Sequence, residues 1–179
     1  IELTLQSDKS NFVYYPYDCP HREKNGWTAD AALSAEQMLY SFDAKQSLEQ
    51  WLLQIRNAQT PDGVLPGIIP TAGWGFEWGN GPAWDSVLVE LPFELYRFYG
   101  DEKVVKDNAE AINKYFAYIA TRLNDDGLVN IGLGDWVQTY TKWEGEFETP
   151  VEITDSLTML DLAAKTITMF DAVGLPTES

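Results

Sequence analysis

Asp18, Glu23 and Asp30 fall within thirteen residues, together with Arg22 and Trp27, in the run Asp18-Cys19-Pro20-His21-Arg22-Glu23-Lys24-Asn25-Gly26-Trp27-Thr28-Ala29-Asp30. Carboxylates move protons and hold hydroxyls, an arginine fork fixes a carboxylate or a hydroxyl, and an indole offers a flat apolar wall. Glycoside hydrolysis needs that combination. Its general acid must stay protonated near neutral pH; like charges at Asp18 and Asp30 work toward that state, and Arg22 works against it. From the residues alone, Glu23 reads either as such an acid or as a solvated surface carboxylate. Asp30 is open to a second role as a helix N-cap, Asp18 to bracing Arg22, and Trp27 to filling the core.

Other chemistries are poorly served. Cys19 and His21 are the chain's only cysteine and histidine. Two residues apart on one loop, they are not the dyad that a fold assembles from distant segments, and Cys19 reads as a small packed side chain. One of each cannot complete a zinc site, and a single cysteine excludes an internal disulfide. No metal or other cofactor is expected. The net charge of −16 repels phosphate backbones and anionic lipid, so neither nucleic acid nor membrane is an expected partner. The sequence has no run of about eighteen apolar residues and no signal-peptide pattern. It starts at Ile1, as a processed chain or a piece of a larger one would. Its one cysteine suits a cytoplasm or a periplasm, and the compartment stays open.

The elements that must carry these residues are helices. With 179 residues, 45% hydrophobic, the chain can build one core of ordinary domain size. Residues 1–17 read as an extended lead-in and 18–27 as loop. Thr28 or Asp30 caps a helix to about Phe42, with Leu33, Gln37 and Tyr40 spaced as a face. Asp43 caps a second helix over 44–58, where Leu48, Trp51, Leu52 and Ile55 recur at helical spacing, and the short link makes a hairpin. Residues 59–82 form a long glycine- and tryptophan-rich loop, of the length usually kept for function; its Trp74 and Trp78 suit an outer rim. A helix over 83–98 should kink at Pro92, and Asp101 caps another over 102–123. The last helix spans 152–173, with Leu157, Leu160, Ala164, Ile167 and Phe170 inward. Glu144, Glu146 and Glu148 read as a solvated loop.

A weak repeat joins the pieces. Asp62-Gly63 and Asp126-Gly127 lie 64 residues apart, and each follows a helix pair and opens a long loop. That is the grammar of a helical toroid, or else a coincidence of common turn residues.

The run from Asp18 to Asp30 also resembles the signature of the bacterial α-L-rhamnosidases, glycoside hydrolase family 78. That signature is Asp-Cys-Pro-x-Arg, an acidic residue, then Gly-Trp-Thr-Gly-Asp; Ala29 replaces its last glycine. Trp84-Asp85 and Gly134-Asp135-Trp136 resemble two further family pairs. The resemblance implies an all-α (α/α)6 barrel, a six-hairpin toroid, with residues 18–179 its N-terminal part and about half the barrel present. It implies Glu23 as general acid, with Asp18, Arg22, Trp27, Asp30, Trp84, Asp85, Asp135 and Trp136 holding a terminal α-L-rhamnose. It implies inversion, with a general base beyond this chain, so that the chain alone would be inactive. The exposed inner face would be covered by the rest of the barrel or by a second copy. Two other readings stand beside it: another (α/α)6 hydrolase of the glucoamylase or trehalase kind, and a non-catalytic sugar-binding helical module.

Overall fold

The computed structural model describes residues 1–71, 73, 75–77, 80–136 and 148–177. Seven helices run in order: α1 (Glu2–Asn11), α2 (Thr28–Ser41), α3 (Lys45–Ala58), α4 (Pro82–Asp85), α5 (Val87–Tyr99), α6 (Glu102–Ala120) and α7 (Val151–Val173). Trp74, Trp78, Glu144 and Glu146 lie outside the described residues.

The packing follows from how each helix distributes its apolar side chains. α3 and α6 each bury one stripe, Leu48, Trp51, Leu52 and Ile55 on the first and Val105, Ile112, Tyr115 and Ile119 on the second. One stripe suits an outer layer. α5 is apolar nearly all round, with Val87, Leu88, Val89, Leu91 and Leu95 at 0% exposure, and it takes the centre. It packs on α2, α3, α6 and α7, and α7 packs in turn on α5 and α6. Each new inner helix thus seats against both helices of the preceding hairpin. α2, α5 and α7 form the inner layer, and their N-termini lie at one end. Stacked this way, the helices form part of an α/α toroid.

The repeat is real at the level of hydrogen bonds. Thr60 N–H bonds to Val64 O and Gly63 N–H to Thr60 O; Asn124 N–H bonds to Leu128 O and Gly127 N–H to Asn124 O. In each turn the first side chain also accepts the last amide, Thr60 Oγ1 from Val64 and Asn124 Oδ1 from Leu128.

Several expectations are corrected. Residues 2–11 of the lead-in are helical, not extended. Among the described residues there is no sheet edge for a strand to join, so the segment satisfies its own amides as a helix. Helix α2 starts at Thr28, but neither Thr28 nor Asp30 caps it; Thr28 Oγ1 donates instead to Gly67 O at 3.1 Å. Asp43 does not cap α3 and accepts from the Tyr99 hydroxyl at 3.2 Å. Asp101 does cap α6, through the Lys103 amide at 2.9 Å. The break expected at Pro92 falls at Ser86, between α4 and α5. Leu33 and Tyr40 face solvent, while Ala31, Ala35, Met38 and Leu39 are the buried face of α2. On α7, Phe170 is buried as expected, but Leu157, Leu160 and Ile167 are exposed and Met159, Leu162, Thr166 and Met169 pack inward. Glu148 is exposed.

Candidate active site

The loop before α2 is closed by Asp18. Its Oδ1 accepts the Asn25 amide at 3.0 Å, and its own amide bonds to Asn25 O at 3.1 Å. Cys19 fills the ring: Sγ donates to Asp18 Oδ2 at 3.4 Å and accepts the Glu23 amide at 3.1 Å. This packed, internally bonded sulfur is a structural pin. The ring brings Asp18, Cys19 and Glu23 together, with side-chain oxygen and sulfur atoms within 4.8 Å of one another. Lys24 turns the chain at φ 56, a left-handed conformation unusual for a residue with a side chain.

Gly26 and Trp27 are fixed by the loop that follows the first Asp-Gly turn. Ile69 N–H bonds to Gly26 O at 2.8 Å and Thr28 N–H to Gly67 O at 3.0 Å. A Cβ on Gly26 would stand 2.1 Å from the Ile69 carbonyl oxygen, so the position admits glycine alone. Trp27 Nε1–H then donates to Glu23 Oε2 at 2.8 Å. Its ring meets Trp84 edge-on, with centroids 6.5 Å apart.

These groups line a cleft of about 1150 Å³ at the N-terminal end of the inner helices. Asp18, Arg22, Glu23, Trp27, Asp30, Trp84, Asp135 and Trp136 all border it. Asp85 does not: it lies beneath the cleft, 2% exposed, and accepts the Gly81 amide at 3.0 Å. Among the described residues no carboxylate pairs with Arg22, so its fork is available to a ligand.

Asp30 projects from the first turn of α2. Desolvation by the cleft walls raises its pKa first, its backbone amide opposes this, and the charges of Asp18 and Glu23 add to the rise. The residue is open to solvent on one side, which tempers the effect.

The cleft has a second acidic region that sequence reasoning missed. Glu90 on α5 and Asp161 on α7 both line it, and Lys165 bonds to them at 2.6 and 2.7 Å. Desolvation raises the Glu90 pKa and Lys165 pulls it back. Thr154, Leu157, Thr158 and Asp161 complete that wall as one stripe of α7. Two glutamates, Glu90 and Glu94, inside the most apolar helix were the signal available for Glu90. The α7 stripe carried none, since its threonines look like ordinary helix surface.

Among the described residues no helix is long and apolar enough to cross a membrane.

Comparison with known proteins bears on the family and the fold. The sequence pattern of the bacterial α-L-rhamnosidase six-hairpin glycosidase domain matches residues 1–178. An α-L-rhamnosidase of Streptomyces avermitilis is 35% identical over 133 residues, 72% of this chain and 12% of that protein. One from an Alteromonas species is 32% identical over 139 residues, 77% of this chain and 15% of that protein. The crystal structure of a Streptomyces avermitilis α-L-rhamnosidase complexed with L-rhamnose superposes with a TM-score of 0.84 at 27% identity, covering 98% of this chain and 17% of that one. The chain thus spans a small part of the length of the relatives it matches. Its signature loop, its hairpin packing and these likenesses agree, and the chain belongs to the bacterial α-L-rhamnosidase six-hairpin glycosidase family.

Proposed function

We propose that the cleft holds a terminal α-L-rhamnose and that Glu23 protonates the departing glycosidic oxygen. The observation that carries this is Glu23 itself, a carboxyl on the cleft wall gripped by Trp27 and flanked by Asp18. Asp18 and Asp30 accept sugar hydroxyls, and Arg22 donates to one. Trp27, Trp84 and Trp136 supply apolar walls, which suit a 6-deoxy sugar whose C6 methyl needs one. Asp135 closes the rim.

Inversion calls for a base roughly 6.5–9.5 Å from the acid, with water between. Glu90 and Asp161 are tied to Lys165 and are poor candidates. We therefore assign the base to another part of the full-length protein, whose remaining hairpins also cover the open inner face.

Hydrolysis of rhamnosides by the full-length protein and its Glu23→Gln variant tests this reading. A p-nitrophenyl rhamnoside has a good leaving group and needs little acid; a rhamnosyl sugar needs much. The variant should lose about 10²–10⁴-fold on the sugar and far less on the activated substrate. Equal losses on both remove Glu23 from the acid role. A protein inert toward both, yet binding rhamnose, is a sugar-binding module instead.

A further inference from the structure

Two buried carboxyls beneath the cleft are not used by this chemistry. Asp85 ends α4 at 2% exposure, and Asp155 lies near the start of α7 at 0%. Each spends one oxygen on a loop amide: Asp85 Oδ2 accepts from Gly81 at 3.0 Å and Asp155 Oδ2 from Ile131 at 2.9 Å. The two loops cross at these amides. A Cβ on Gly132 would lie 1.7 Å from Asn80 O, and one on Gly81 would lie 2.6 Å from Ile131 O. Both glycines have positive φ, 79° and 112°, so the crossing requires them. Just past it, one backbone leads into Trp84 and the other into Gly134-Asp135-Trp136, both on the cleft wall.

The second oxygens, Asp85 Oδ1 and Asp155 Oδ1, are buried and reach no partner in good hydrogen-bond geometry, and the buried Tyr115 hydroxyl stands beside Asp85, near enough to favour its charged form. Tyr115 and Asp155 both act on Asp85, and Glu152 acts on Asp155; no lysine or arginine is among these groups. Desolvation pushes Asp85 well above the ordinary carboxylate range and Asp155 up to about 6; the Gly81 amide and the Tyr115 hydroxyl oppose the first, and the Ile131 amide the second. A neutral carboxyl still accepts an amide through its carbonyl oxygen, so the loop contacts survive without two buried charges. The first hairpin ties its loop differently. Trp51, 64 positions before Tyr115, donates its indole N–H straight to Ile69 O at 2.9 Å. Where the first hairpin uses one indole, the second uses two acids.

We propose that Asp85 and Asp155 are positioning residues that clamp the crossed loops and so set Trp84 and Trp136 in register across the sugar site. The clamp rests on the glycosidase reading for its purpose, though its geometry can be tested without it. In the full-length protein, Asp85→Leu and Asp155→Leu remove the acceptors, while Asp85→Asn and Asp155→Asn keep them. The leucine variants should raise KM for a rhamnoside about 10–100-fold, with a smaller change in kcat. They should also raise acrylamide quenching of ligand-free tryptophan fluorescence, and the asparagine variants should recover most of both losses. Folded leucine variants with wild-type KM and quenching overturn the proposal, as do asparagine variants no better than leucine. Amide hydrogen exchange in the unmodified protein gives a check that needs no variant to fold. Slow exchange at Gly81 and Ile131 is expected, and exchange at the rate of exposed loops overturns the clamp. Quenching and exchange need no sugar. A protein that ignores rhamnosides but shows both signatures keeps the clamp and overturns the glycosidase reading.

Discussion

The bond from Trp27 to Glu23 fixes more than an orientation. An indole N–H can only donate, so Glu23 Oε2 accepts, and in the proposed acid role the transferable proton would belong on Oε1. Trp27→Phe keeps an apolar wall and frees the carboxyl to rotate. We expect kcat on an unactivated rhamnoside to fall about tenfold or more, the scale of one hydrogen bond to an ionisable group, with KM changed less. An unchanged kcat would show that the bond is idle. Asp30 makes a prediction of the opposite kind, about protons that must be absent. Its raised pKa means that it gains a proton at a higher pH than an ordinary aspartate. A protonated carboxyl accepts fewer sugar hydroxyls, so rhamnose affinity should fall as pH drops toward that raised value. Titrating affinity against pH checks this, and Asp30→Asn should flatten the acid limb.

At the scale of elements, α7 carries a pH dependence of its own. Asp155 titrates near 6 when folded and near the ordinary aspartate value of about 4 when unfolded. Between those values the folded state binds more protons than the unfolded one. The contribution of Asp155 to stability should therefore be largest below about 4, fall as pH rises to about 6, and level off above it. Urea unfolding of the full-length protein across this range checks the slope, which Asp155→Asn should reduce. The same helix shows where sequence stops speaking. The signature loop was legible because its residues meet through bonds only four to seven positions apart, such as Glu23 with Trp27 and Asp18 with Asn25. Helices α3 and α6 were legible from their spacing, whereas α1 reads as extended and the spacing in α2 points to the wrong buried face. The buried face of α7 was not legible either, because it has apolar residues on two sides and α5 and α6 choose one of them. Asp85 was misplaced for a related reason. Its neighbour Trp84 does border the cleft, but one step along a helix turns a side chain by roughly 100°, enough to move Asp85 from the wall to the floor beneath it.

The molecule as a whole leaves an apolar flank open on α7. Leu160 and Ile167 on α7 are 69% and 50% exposed, an apolar flank where the next hairpin of a toroid would sit. If the rest of the full-length protein covers it, Leu160→Glu should destabilise that protein by about 2 kcal/mol or more, as burying an unpaired carboxyl does. An effect near zero by thermal unfolding would mean that the flank stays open. The internal repeat has a final consequence, in the freedom of its two copies to diverge. Both turns use a glycine at positive φ, Gly63 at 93° and Gly127 at 75°. A Cβ at Gly127 would meet nothing within 4 Å, whereas one at Gly63 would stand 2.4 Å from the Lys114 carbonyl oxygen. Gly127→Asn should therefore cost about 1 kcal/mol or less, since asparagine tolerates this backbone, and Gly63→Asn should cost several times more. The second turn is free to change in sequence as a surface ornament, while the first is held to glycine by the helix lying against it.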